Sequence, residues 1–151
     1  MARARPSADP GAATLPRATL DALTTLLAAA PARLGAGRLV CIDGPSGSGK
    51  TTAADALAAR LAAGGHHDVV TLHMDDQYDG WDGLGAAPGR VAHAVLAPLA
   101  AGGAGRYRRY DWHAGRFAEE HVVPPVGPRT LVLLEGVGSG AAPLAPYRSV
   151  L

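Results

Sequence analysis

Lysine is all but missing from this chain of 151 residues: of its fourteen lysine and arginine residues thirteen are arginine, and the exception is Lys50. Cysteine is equally scarce. Cys41 stands alone inside the apolar run Leu39-Val40-Cys41-Ile42, which excludes an internal disulfide and marks a buried structural thiol suited to a reducing compartment. No apolar stretch is long enough to span a bilayer. The basic start Met1-Ala2-Arg3-Ala4-Arg5 is not followed by an apolar core segment, so it does not read as a secretory signal, and the expected location is cytoplasmic. A formal net charge of +1 leaves no basic footprint for nucleic acid. The six histidines, at 66, 67, 73, 93, 113 and 121, show neither H-E-x-x-H nor a comparable ligand spacing, which argues against zinc. What is present is a globular balance, 48% apolar and 18% charged, in a length that suits one domain and can bury about 68–70% of the unfolded surface. Nothing in the sequence indicates an oligomeric state.

The lone lysine lies in Gly44-Pro45-Ser46-Gly47-Ser48-Gly49-Lys50-Thr51, followed by Thr52, and this fits G-x-x-x-x-G-K-[ST]. The glycines let the backbone turn tightly and bring its N–H groups onto phosphate oxygens. A helix starting near Lys50 adds its positive end. Lys50 reaches the outer phosphates as a compact charge on a thin stem, where a broad guanidinium would crowd the loop. The Thr51 hydroxyl is then available to a magnesium ion. The expected ligand is ATP or GTP with magnesium, cradled by residues 44–52.

The surrounding pattern alternates strand and helix. Leu20, Leu23, Leu26 and Leu27 share one face of a helix over 17–30, which Pro31 and Gly35-Ala36-Gly37 end. A buried strand is expected from Arg38 to Asp43, a helix from Thr51 to Leu61 stopped by Gly64-Gly65, and a turn at His66-His67-Asp68. A second strand follows over Val69–Met74, then a loop over 75–89 and a helix over Val91–Ala101 with Val91, Val95, Leu96 and Leu99 inward. Residues 105–129 read as a polar and aromatic segment broken by prolines. A third strand runs over Leu131–Leu134, and Arg148–Leu151 begins a fourth. Strands separated by helices imply an α/β fold with a parallel sheet covered on both faces.

Ligands of such sheets sit beyond the carboxyl ends of the strands. Three apolar runs here end in acid: Asp43, Asp75-Asp76 and Glu135, one of only three glutamates. Glu135 in that position can hold magnesium. One of Asp75 and Asp76 can take the proton of an attacking hydroxyl while the other serves metal or structure. Asp43 can instead hydrogen-bond the glycine-rich loop and hold its shape. Six of the seven aromatic residues other than histidine lie between the second and third strands: Tyr78, Trp81, Tyr107, Tyr110, Trp112 and Phe117. Mixed with Asp79, Asp82, Asp111, His113 and several arginines, they suggest a pocket for a flat polar acceptor.

The phosphate loop, Leu72-His73-Met74-Asp75-Asp76-Gln77-Tyr78, the patch Arg106–His113 and Leu133-Leu134-Glu135-Gly136 together resemble the uridine kinase and phosphoribulokinase group of P-loop kinases, nearest to uridine kinase-like proteins. The resemblance spans about residues 38–151. It implies ATP-dependent phosphoryl transfer to a small hydroxylated acceptor, most simply a nucleoside. The alternatives are a kinase of another alcohol, such as pantothenate or a sugar phosphate, or a nucleotide-binding module without catalysis. It implies that Lys50 and Asp75 are catalytic, that Asp75 and Glu135 with Thr51 serve the metal, and that Asp75, Tyr78, Asp82, Tyr110 and His113 face the acceptor. Gln77 departs from the aromatic usual at its place, His113 is offset, and the loop after Tyr78 lacks the group's acidic stretch. Members of the group continue past the third strand with further strands, an arginine-bearing lid and an adenine-side loop, whereas this chain stops at Leu151. The expectation is therefore a P-loop sheet cut short after its third or fourth strand. A mobile lead-in over 1–15 would precede one kinase-like domain over 16–151 that is incomplete at its C-terminal end.

Overall fold

The computed structural model describes residues 14–65 and 67–151. Most of the expected lead-in and His66 of the expected turn lie outside the described residues.

The chain order is α1 (Arg17–Ala29), β1 (Arg38–Ile42), α2 (Lys50–Ala63), β2 (Asp68–His73), α3 (Ala87–Val91), a π-helical segment (Ala92–Leu96), α4 (Ala97–Ala100), β3 (Gly105–Asp111), β4 (Arg116–Val123) and β5 (Thr130–Glu135). Short 3-10 turns cover Met74–Asp76, Trp81–Leu84 and Ala142–Tyr147. β1, β5 and β2 form a parallel sheet with β5 in the centre. A central strand is covered on both faces, which is why Leu131-Val132-Leu133-Leu134 is apolar without alternation. Beyond β1, the N–H of Cys41 donates to Val150 O at 2.9 Å and Val40 bridges Val150 in parallel, so the expected fourth strand begins on that edge.

Successive strand residues point to opposite faces, and the core divides accordingly. On one side Val40, Leu131 and Leu133 meet Leu27 of α1 and Leu57 and Leu61 of α2. On the other, Leu39, Cys41, Val132 and Leu134 meet Val91, Val95, Leu96 and Leu99. Burial raises the Cys41 thiol to about 12, consistent with an inert packing residue. The four inward positions expected of the 91–101 helix are buried. On α1 the leucine stripe is narrower than expected, because Leu26 is 52% exposed while Leu27 is buried. The helix over 87–100 is longer than the sequence suggests and widens midway: the N–H of Ala97 reaches back five residues to Ala92 O. Pro98 supplies no N–H and its ring needs room in the preceding turn, which a π-helical turn provides.

The principal correction concerns residues 105–123. They form an antiparallel hairpin, β3 with β4, where the sequence showed only a polar and aromatic segment with no strand assigned. Gly105 begins it so close to the helix that an added Cβ would lie 2.9 Å from Val95 O and Val95 Cγ1.

Gly136, directly after β5, has φ +130°, and an added Cβ would sit 2.6 Å from the Met74 Cβ. Gly136→Ala therefore combines backbone strain with overpacking, and a loss of about 2–4 kcal/mol is expected. Chemical denaturation measures it; a change within about 0.5 kcal/mol, the scatter of ordinary surface substitutions, would contradict the packing described.

Candidate active site

The carboxyl ends of β1, β2 and β5 converge on one side of the sheet. The first delivers the glycine-rich loop, whose Gly44, Gly47 and Gly49 take φ values of 151°, 76° and 86°. Gly49 caps α2 in the left-handed region, where a side chain is strained. Lys50 opens the helix, and its Nζ donates to Pro45 O at 2.6 Å across the loop.

Asp43 holds this loop in shape. Its carboxylate accepts the N–H groups of Gly44 at 2.7 Å, Gly138 at 3.0 Å and Gly140 at 2.9 Å. Burial works to raise its pKa, but those three donors and the charge of Lys50 outweigh it and hold the carboxyl below the usual range. The loop after β5 is thus tied to the phosphate loop, and Asp43 takes the structural option that the sequence left open.

Glu135 ends β5, 4% exposed, with the Thr51 hydroxyl donating to Oε1 at 3.2 Å and His73 Nδ1 hydrogen-bonded to the same oxygen. Here too burial pulls the pKa up, and the hydrogen bonds from His73 and Thr51 with the charges of His73 and Lys50 bring it below the usual value. Asp75 behaves oppositely. Burial first, then the negative charges of Glu135 and Asp76, push its pKa up.

Two cavities meet at Asp75. One, of about 300 Å³, is lined by Ser46, Gly47, Gly49, Lys50, Thr51, Thr52, Asp75, Glu135, Gly136 and Val137. The other, of about 560 Å³, is lined by Pro45, Ser46, Asp75, Tyr78, Gly80, Trp81, Leu84, Trp112 and Val137. A third and larger space of about 790 Å³ runs along the outer edge of β1 among Leu23, Val40, Cys41 and Leu57; its one acid, Asp43, is already bonded to three N–H groups.

Lys50, Thr51, Thr52, Asp75 and Glu135 thus border one cavity together. Tyr78 borders the second cavity but is 4% exposed, and its hydroxyl donates to Val137 O. Burial and the charges of Asp75, Asp43 and Glu135 push its pKa up. Asp82, Tyr110 and His113 line neither cavity. Asp82 is exposed on its 3-10 turn and His113 at the hairpin tip. Tyr110 is 7% exposed and packs edge-on against Trp112 and Phe117 at 5.2 and 5.3 Å. In their stead the wall is built by Trp81, Leu84, Trp112 and Val137. The Trp81 and Trp112 rings lie 5.0 Å apart, and Trp112 Nε1 donates to Asp75 O at 3.0 Å. The sequence pointed to the aromatic cluster but not to these two members over Tyr110. Asp76 is in neither lining.

Among the described residues, no group of three or more His, Cys, Asp and Glu is placed to hold a metal ion alone. Thr51, Asp75 and Glu135 nevertheless border one cavity with hard oxygen donors. That set fits magnesium, which keeps waters and shares its coordination between one or two carboxylates and nucleotide phosphates.

The structure superposes on that of a possible uridine kinase from Bacillus stearothermophilus with a TM-score of 0.70 and 25% identity, covering 89% of this chain and 78% of that one. The chain has the fold of a P-loop kinase. Over 65 residues it is also 46% identical to a cytidylate kinase of Corynebacterium glutamicum. That match covers 40% of this chain and 27% of the relative, so the chain spans about a quarter of the curated relative's length. No protein-family model matches the sequence. The P-loop kinase fold accounts for the parallel order β1-β5-β2 and for the loop between β1 and α2. Among the described residues no helix is long and apolar enough to cross a membrane.

Proposed function

We propose that the chain transfers the terminal phosphoryl group of ATP or GTP to a hydroxyl of a small uncharged acceptor, a nucleoside being the leading candidate. The observation that carries this reading is the shared wall: Asp75, with Ser46 and Val137, borders both the polar cavity of the phosphate loop and the apolar, tryptophan-walled one. A phosphate in the first and an alcohol in the second would meet at Asp75. The loop N–H groups and Lys50 hold the outer phosphates. Asp75 orients the acceptor hydroxyl and takes its proton. Thr51, Asp75 and Glu135 would hold magnesium, which neutralises charge on the phosphates when bound. The indoles of Trp81 and Trp112 supply flat surface for a ring.

The lining also bears on acceptor charge. The second cavity has no Lys, Arg or His, and its one carboxylic acid is Asp75. An acceptor bearing phosphate or carboxylate would bring a like charge beside it with no cation to pair. That weighs against sugar phosphates and pantothenate, and against a cytidylate, the acceptor named for the curated relative.

The test is ATP turnover across nucleosides, nucleoside monophosphates, sugar phosphates and pantothenate. Acceptor-dependent ADP release and a phosphorylated product are expected from uncharged members alone. Product from the phosphorylated acceptors would overturn the assignment of charge. ATP binding with no product from any acceptor would leave a nucleotide-binding module without catalysis.

A further inference from the structure

His73 lies outside both cavities, yet it is joined to an acid that borders one of them. The parallel register of β2 and β5 sets His73 directly beside Glu135, while on the other side β1 sets Ile42 beside it. Of these two lateral neighbours only the imidazole can hold a carboxylate. The pair is largely enclosed, with side-chain exposures of 14% for His73 and 6% for Glu135. Both described hydrogen bonds to the Glu135 carboxylate, from His73 Nδ1 and from Thr51 Oγ1, end on the same oxygen, Oε1.

That arrangement has a chemical consequence. A hydroxyl that donates its proton to a carboxylate presents its lone pairs away from it. Thr51 borders the phosphate cavity, so its lone pairs become available there. Holding Oε1 from two directions also fixes the plane of the Glu135 carboxylate and leaves Oε2 for a hydrated cation. Groups that orient metal ligands in this way typically change metal affinity about 10–100-fold when removed.

We propose that His73 is a positioning residue for magnesium: it orients Glu135, and through it the Thr51 hydroxyl, so that both are preset for the cation that accompanies the nucleotide. The inference rests on the reading of this cavity as a magnesium–nucleotide site. It assigns His73 no contact with the nucleotide and no part in proton transfer.

The probes are ADP and magnesium, measured by calorimetry on the full chain in EDTA and in saturating magnesium. In the wild type, magnesium is expected to tighten ADP binding. His73→Leu keeps bulk and removes the donor; it should lose about tenfold of that magnesium-dependent gain while ADP binding in EDTA stays within about twofold. His73→Asn places an amide N–H near the position of ring Nδ1 and should restore the gain. His73→Gln moves the donor one bond further out and should not. If His73→Leu fails to fold, the contrast between Asn and Gln decides alone. An unchanged magnesium gain in His73→Gln overturns the inference, as does equal weakening with and without the metal. Wild-type ADP binding that ignores magnesium overturns it while leaving nucleotide binding in place. No ADP binding by the wild type in either condition removes the underlying reading and the inference together.

Discussion

Lys50→Ala is expected to lower phosphoryl transfer by about a hundredfold to a thousandfold, the range seen when one preorganised charge or donor is taken from a transition state. Lys50 is the one side-chain cation in the lining of the phosphate cavity. Its Nζ hydrogen-bonds a loop carbonyl at the protein surface, so folding should be little affected and Tm should stay near the wild-type value. Lys50→Arg should not rescue transfer. It keeps the charge but puts a planar guanidinium where a loop that turns on three glycines closes around a narrow ammonium. Transfer by Lys50→Ala at the wild-type rate would remove the phosphate loop from the mechanism.

Asp75→Asn should abolish transfer by about 10²–10⁴-fold, the usual worth of a positioned proton acceptor, while ADP binding is retained. The pH dependence has a definite sign. Burial, then the charges of Glu135 and Asp76, raise the Asp75 pKa, and the ionised form is the one that accepts a proton. Transfer should therefore fall as pH drops through that raised pKa, at a higher pH than an ordinary aspartate would dictate. Stability runs the other way. A carboxyl whose pKa is higher folded than unfolded favours the native state below its unfolded pKa, and that contribution is lost as pH rises through the folded pKa. At neutral pH Asp75→Asn should accordingly raise Tm, by a small amount because the side chain is reached by solvent. The difference should shrink in acid. A variant that transfers phosphate normally would sink the assignment of Asp75 as base.

The phosphate loop and the central strand were legible because their signals are local. An eight-residue motif specifies its own backbone, and Leu131–Leu134 is apolar on both faces whatever lies beside it. The hairpin was not legible. Its outer positions are filled by arginines that pair across to Glu119 and Glu120, so the segment reads as charged and not as an alternating strand. A register shift between Arg108 and Tyr110 also breaks the period of two. Arg108 opposes Glu120 and Tyr110 opposes Phe117, so the extra residue lies in β4, where Glu119 and Glu120 are consecutive and both exposed. Tyr110 packs against the Phe117 opposite it, while Trp112, just past the end of β3, reaches the cavity. The partnership of His73 with Glu135 depended on strand order, which places β5 between β1 and β2, and no local signal records it.

The two indoles that wall the second cavity are also the only two in the protein. Neither is in the sheet core; Trp81 is 83% exposed and Trp112 is 39% exposed. Tryptophan emission is therefore an optical channel belonging almost entirely to that cavity. Changes in the apolar layers on either side of the sheet barely enter it, and a small molecule settling against those rings would be seen without any label, nucleotide or turnover.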